Sequence, residues 1–192
     1  MKFSKHLIAA LAATAIFAAL PASAAEKTYS WNPYIGIDYQ HTRINYDNAV
    51  EPFLDDSLGG FNIHAGLRPY KYLGAELGYF QTAEGKGSIA GLETKVKVRG
   101  VTFDAMGYLP VDESGTVELI GTAGVLWNKA KLEVPTIGSD SESEIDWRIG
   151  AGAQVNVADN VNMRGIVRYQ TADFEDTADN AWVYTVGLNY GF

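Results

Sequence analysis

The chain has 192 residues, no cysteine, and 23 acidic against 15 basic side chains, for a net charge of −8. Without cysteine there are no disulfides, thiolate metal sites or cysteine nucleophiles. The acidity excludes a nucleic-acid partner, which needs a basic footprint. Composition does not shift along the chain after Ala25, so a single domain is expected.

Lys2 and Lys5 form a positive start, Leu7 to Leu20 is an apolar run, and Pro21 precedes the small residues Ala22-Ser23-Ala24. This is the pattern of a secretory signal peptide, residues 1–24, cut before Ala25. The run is shorter than the roughly 20 apolar residues a spanning helix needs. Losing the leader carries the net charge from −8 to −10.

From Ala25 the chain reads as strands separated alternately by short and long connections. Tyr34 to Arg43 sets Ile35, Ile37 and Tyr39 against Gly36, Asp38 and Gln40. A long acidic connection, Ile44 to Gly59, leads to Gly60–Arg68, where Phe61, Ile63, Ala65 and Leu67 alternate with Asn62, His64, Gly66 and Arg68. Pro69 and Tyr70 are expected to turn the chain. Tyr72 to Gln81 puts Leu73, Ala75, Leu77 and Tyr79 opposite Gly74, Glu76 and Gly78, and Thr82 to Glu93 is the second long connection. In Lys95 to Leu109, Val101, Phe103 and Ala105 face away from Thr102, Asp104 and Met106. Lys95, Lys97 and Arg99 share the apolar phase, which places them above a membrane or requires a bulge near Gly100.

Pro110 to Gly115 is a compact turn. Thr116 to Lys129 carries Val117, Leu119, Ala123, Val125 and Trp127 on its apolar face, and Ala130 to Ser143 is the third long connection. Glu144 to Val155 alternates most cleanly, Ile145, Trp147, Ile149, Ala151, Ala153 and Val155 against Asp146, Arg148, Gly150, Gly152 and Gln154. After a turn at Ala158-Asp159-Asn160, Val161 to Gln170 shows Val161, Met163, Val167 and Tyr169 on one side and Asn162, Arg164 and Arg168 on the other. Thr171 to Asn180 connects to Trp182–Phe192, where Trp182, Tyr184, Val186, Leu188, Tyr190 and Phe192 alternate with small or polar residues.

A period of two gives each strand one apolar and one lean face. Charge recurs on the lean face at Asp38, Arg68, Glu76, Asp104, Glu118, Asp146, Arg148, Arg164 and Arg168. A soluble barrel would hide its apolar face; a barrel in lipid turns that face outward. The expected fold is therefore all-β, an antiparallel transmembrane β-barrel of about eight strands, residues 25–192, with short periplasmic turns and four long extracellular loops. If both termini lie on the short-turn side, Tyr39, Tyr79, Trp127, Trp147, Tyr169 and Tyr184 form an aromatic girdle near the loop rim, with Tyr190 and Phe192 at the other.

The mature chain resembles the OmpA/OmpX-type small outer-membrane barrels, a family of porin-like surface proteins. The likeness rests on Gly66-Leu67-Arg68 before Pro69, on Leu73-Gly74-Ala75-Glu76-Leu77-Gly78-Tyr79, and on the closing Gly187-Leu188-Asn189-Tyr190-Gly191-Phe192. The strand number eight rests in part on this resemblance. The resemblance implies location in a Gram-negative outer membrane and a C-terminal strand read by the assembly machinery. Larger members continue into a peptidoglycan-binding domain; that role is not expected of a chain ending at Phe192.

No residue is assigned a catalytic, cofactor-binding or metal-binding role. His64 reads as a lumen hydrogen-bonding residue. His41 has the outward phase near the loop rim, where lipid-A-modifying barrels of this architecture keep their catalytic groups, but no serine stands at matching spacing. The inward charges read as a mutually paired network, since buried charge persists only when paired. The acidic loops are open to divalent cations bridging lipopolysaccharide, or to a host surface, although EF-hand spacing is absent. The function expected is non-enzymatic: envelope integrity and surface interaction through the loops, with outer-membrane lipid and lipopolysaccharide as partners. The alternatives are a small-solute pore and a lipid-A-modifying or peptide-processing enzyme.

Overall fold

The computed structural model describes residues 31–46, 57–83, 85–89, 92–134, 138–174 and 178–192, with side chains at 31–45, 57–83, 97–129, 144–171 and 180–192. The expected leader, residues 1–24, lies outside them. Among the described residues nine strands are formed: β1 (Asn32–Tyr46), β2 (Ser57–Tyr70), β3 (Leu73–Thr82), β4 (Gly85–Ile89), β5 (Leu92–Pro110), β6 (Val117–Val134), β7 (Gly138–Ala158), β8 (Val161–Phe174) and β9 (Ala178–Gly191). Strands consecutive in the chain pair antiparallel except β3 and β4, β1 pairs with β9, and β3 pairs with β5. Those last two ladders close eight strands into a barrel, while β4 is a short extra strand on β5 alone.

The faces follow the alternation. Asp38, Glu76, Asp104, Arg164 and Arg168 are at most 2% exposed, whereas Ile37, Leu77, Phe103 and Trp127 on the other face are 54–64% exposed. Apolar side chains outside and buried charge inside is the arrangement that lipid, not water, stabilises. Both described chain ends meet the short-turn rim, where Phe192 N–H donates to Pro33 O at 3.1 Å and Gly191 N–H to Asn160 O at 2.8 Å. The girdle condition is thus met. Trp147–Tyr169 and Tyr169–Trp182 ring centroids are 5.9 and 5.4 Å apart at the other rim, and Tyr190–Phe192 are 5.4 Å apart at the near one.

Several local expectations differ from the structure. The chain reverses at Lys71-Tyr72 rather than at Pro69-Tyr70, and Pro69 sits in β2 where the register with β3 shifts between Leu67 and Tyr70. A bulge is where a strand tolerates a residue without an N–H. The turn after β5 is built on Asp112, whose carboxylate accepts from Ser114 Oγ and, at 2.9 Å, from Val117 N–H; these bonds hold its carboxyl below the ordinary value. Gly115 takes the left-handed conformation there, φ +67°, which a residue with a Cβ adopts only at a cost.

The second, third and fourth connections expected as long loops are largely paired strand where described, and residues 47–56 of the first lie outside the described residues. β6 and β7 stay in register out to Val134↔Gly138, and β4 lies within the expected second connection. Backbone pairing outlasts the alternation because a strand beyond the membrane is wet on both faces. The register of β5 with β6 is continuous from Lys95 to Pro110, so no bulge at Gly100 explains the basic run. Those residues lie on the hairpin end of β5.

Candidate functional site

The chemistry of this chain is concentrated in the bore, in tiers set by strand register. At the short-turn mouth Arg68 of β2 reaches Glu118 of β6 through two bonds of 2.8 and 2.7 Å, and Gln154 donates to the same carboxylate at 2.6 Å. The Arg68 guanidinium lies 4.1 Å from the Tyr108 ring centroid, a cation–π contact. A polar hollow of about 400 Å³, lined by Tyr34, Arg68, Tyr108, Gln154 and Asn189 among others, opens at this mouth.

The middle tier is organised by Arg164 of β8. It donates to Asp38 at 3.1 and 2.8 Å and to Glu76 at 2.6 and 3.1 Å. β8 and β3 are separated by three barrel strands in either direction, so the Arg164–Glu76 pair spans the bore. Tyr34 hydroxyl donates to Glu76 at 3.1 Å and Asn62 amide to Asp38 at 3.0 Å. His64 completes the tier, its Nε2 2.6 Å from Asn189 Oδ1 and its Nδ1 3.2 Å from Arg164 Nη2. A guanidinium can only donate, so Nδ1 accepts and Nε2 carries the proton. The His64–Asn189 pair lies over Gly36, where a Cβ would overlap both side chains. His64 is therefore the lumen hydrogen-bonding residue expected of it.

Among these polar groups Met106, Tyr108, Ile120 and Ile166 form a buried cluster, all at most 5% exposed. Ile120 and Ile166, like Leu126 higher in the bore, occupy the inward phase of their strands. Arg148 of β7 holds Asp104 of β5, the register partner of Glu76, bidentately, with Nε 2.8 Å from Oδ1 and a closer Nη2–Oδ2 contact. Asp146 accepts from Asn128 at 2.8 Å and from Thr171 at 3.2 Å. All nine expected lumen charges point inward, and the ion pairs join seven of them into three groups.

His41 has a partner that the linear spacing concealed. Ser57 Oγ lies 3.3 Å from its Nε2. The serine comes from β2, where Arg43↔Ser57 are register partners, so the approach is diagonal across the hairpin. Linear spacing offers no matching serine, yet strand pairing brings Ser57 to His41. The imidazole also packs on Tyr184, ring centroids 6.3 Å apart. Among the described residues no carboxylate bonds to His41, so no third group orients the imidazole as hydrolytic triads require. Among the described residues there is also no cluster of metal-ligating side chains.

The family described as outer membrane protein beta-barrel domain matches residues 9–192. The chain belongs to that family. This outer-membrane barrel shares its fold with Ail, the attachment invasion locus protein of Yersinia pestis, solved in complex with the heparin analogue sucrose octasulfate: 23% identity, 85% of this chain and 100% of that one, TM-score 0.62. Neisserial surface protein A matches at 14% identity over 87% and 100% of the two chains, TM-score 0.60. OprG of Pseudomonas aeruginosa matches at 12% over 86% and 97%, TM-score 0.56. A comparison with curated proteins found no match. Family and fold place the barrel in the outer membrane of a Gram-negative bacterium, with its outward apolar band in lipid.

Proposed function

We propose that this barrel is a non-enzymatic envelope protein that supports outer-membrane integrity and acts through its extracellular hairpins. The observation that carries this reading is the bore itself, spanned by Arg164–Glu76, with Arg68–Glu118 and Arg148–Asp104 paired along its wall and Met106, Ile120 and Ile166 packed inside. A lumen filled by paired side chains leaves the outer surface and the hairpins to act. A strain lacking the chain is expected to take up a hydrophobic dye faster, and the wild-type gene to restore the barrier. Unchanged dye uptake with slower entry of small hydrophilic solutes would favour the pore.

The proposed partner at the membrane surface is lipopolysaccharide. Lys97, Arg99 and Lys129 lie on the outward phase of β5 and β6, just beyond the register pair Val101↔Trp127. Arg99 and Lys129 are directly opposite and exposed, a like-charge pair that destabilises a bare sheet. Phosphate groups at the headgroup level relieve that repulsion, and an outer-wall apolar groove that includes Leu77, Tyr79 and Val101 suits an acyl chain below. The complex of Ail with the heparin analogue sucrose octasulfate adds indirect support for anion recognition. Charge reversal of all three, K97E/R99E/K129E, is expected to cut the stabilisation by lipopolysaccharide by about 1 kcal/mol per residue, read as unfolding midpoints in bilayers with and without it. Equal gains in wild type and variant would remove this partner.

The C-terminal strand is proposed as the element read by the assembly machinery, after removal of residues 1–24. Deleting Phe192 is expected to leave the chain in the periplasm or degraded. Normal outer-membrane recovery with normal heat-modifiable gel mobility would contradict it.

A further inference from the structure

The polar hollow of about 400 Å³ at the short-turn mouth takes no part in the interactions of the outer wall or the hairpins. Its size falls within the range of ligand pockets, about 300–1,000 Å³. Tyr34 and Tyr108 stand at its inner end, both buried, with their hydroxyls 3.1 Å apart. Asn156, Asp159 and Phe192 are exposed at its rim, and Asn32 is half-buried there.

Three carboxamides that line the hollow are each held in one orientation. Gln154 Nε2 donates to the Glu118 carboxylate at 2.6 Å, and Asn156 Nδ2 donates to Gly115 O at 2.8 Å. Both partners can only accept, so each amide presents its oxygen elsewhere. Asn162 is fixed through a chain that starts at the His64 proton. His64 Nε2 donates to Asn189 Oδ1 at 2.6 Å, and Asn189 Nδ2 donates to Asn162 Oδ1 at 2.9 Å. Gln154 Oε1, Asn156 Oδ1 and Asn162 Nδ2 are left without a hydrogen-bond partner among the described residues. They offer two acceptors and one donor.

Charge is balanced on these walls. Arg68 donates twice to Glu118 and lies over the Tyr108 ring, while Asp159 stands on the exposed turn outside. A charged ligand would find no counter-charge within the hollow to offset its desolvation. An apolar ligand would leave the two acceptors and the donor unsatisfied. A hydroxyl both donates and accepts, so a compact neutral ligand with several hydroxyls matches the inventory. The Phe192 ring, 71% exposed at the rim, offers an apolar face to the C–H side of a sugar ring. We propose that this mouth binds a neutral pyranose sugar, free or as the end unit of a glycan strand on the short-turn side of the membrane. The site lies at the opposite end of the barrel from Lys97, Arg99 and Lys129, and is independent of whether those residues bind lipopolysaccharide.

The test is a titration of the isotope-labelled barrel in lipid nanodiscs, read by its amide NMR signals. The probes are glucose, N-acetylglucosamine and its tetramer, with glycerol and acetylglycinamide as a simple polyol and a simple peptide amide. The sugars are expected to give saturable shifts of the Gln154 and Asn162 side-chain amides and of the Gly191 backbone amide. Glycerol and acetylglycinamide are expected to give none. Tighter binding of the tetramer than of the monomer would identify a glycan end, and equal affinity a free saccharide. N156A removes one acceptor at an exposed position and is expected to weaken sugar binding about fivefold, the weight of one neutral hydrogen bond. N32W fills the opening and is expected to abolish it. Both variants are expected to keep the wild-type unfolding midpoint in vesicles. No saturable shift with any sugar, equal shifts with glycerol or acetylglycinamide, or shifts confined to the hairpin end would overturn the proposal. Sugar binding unchanged in both N156A and N32W would overturn it too, because the sugar would then sit elsewhere.

Discussion

Replacing Arg164 by alanine is expected to lower the unfolding free energy in lipid by about 3–5 kcal/mol. The substitution strands two carboxylates, Asp38 and Glu76, both at most 2% exposed and both bonded by the same guanidinium. Arg68→Ala is expected to cost less, since Arg68 sits at the mouth with its side chain 15% exposed and water can reach the remaining Glu118. Adding D38N and E76Q to R164A is expected to recover part of the loss, because neutral amides are easier to bury than charge. Tryptophan fluorescence of denaturant titrations in vesicles checks all three variants. A loss below about 1 kcal/mol for R164A, in the range of an exposed ion pair, would mean that the middle tier is hydrated.

Placing an arginine at Ala151 is expected to destabilise the barrel by about 2–4 kcal/mol. Ala151 faces outward on β7, between the register partners Gly121 and Val167, below the Trp147–Tyr169 aromatic contact and above the turn after Ala158. A charge there meets acyl chains, with no lumen partner within reach because the barrel wall intervenes. The control is E113R in the exposed turn after β5, where the new charge stays in water. Unfolding midpoints in vesicles are expected to fall for A151R and hold for E113R. Equal midpoints would reverse the assignment of the two faces.

The division into faces was legible because alternation is a local property: Ile145 to Val155 repeats it six times and the structure follows it throughout. It failed where its cause is missing. Beyond the membrane both faces are wet, so the paired extensions of β6 and β7 and the short β4 read as loops. Ser57, at the start of β2, was placed in a connection for the same reason, which hid its approach to His41. The apolar interior residues Ile120, Leu126 and Ile166 interrupt the inward polar phase, and the cluster that Ile120 and Ile166 form with Met106 and Tyr108 left no signal. The pairing of particular charges was also closed to the sequence. Arg164 meets Glu76 from the far side of the barrel because closure and stagger bring β8 and β3 face to face, a geometry no local pattern carries.

The central claim is that paired charges and an apolar cluster fill the bore, so that the barrel acts from its outer surface. Planar-bilayer recording of the purified wild-type protein beside Arg164→Ala tests it most directly. The wild type is expected to hold the bilayer current at baseline, with Arg164→Ala giving ion-conducting steps where the middle tier is lost. Sustained, large conductance steps in the wild type, unchanged by Arg164→Ala, would contradict the claim and make the lumen charges the lining of an open pore.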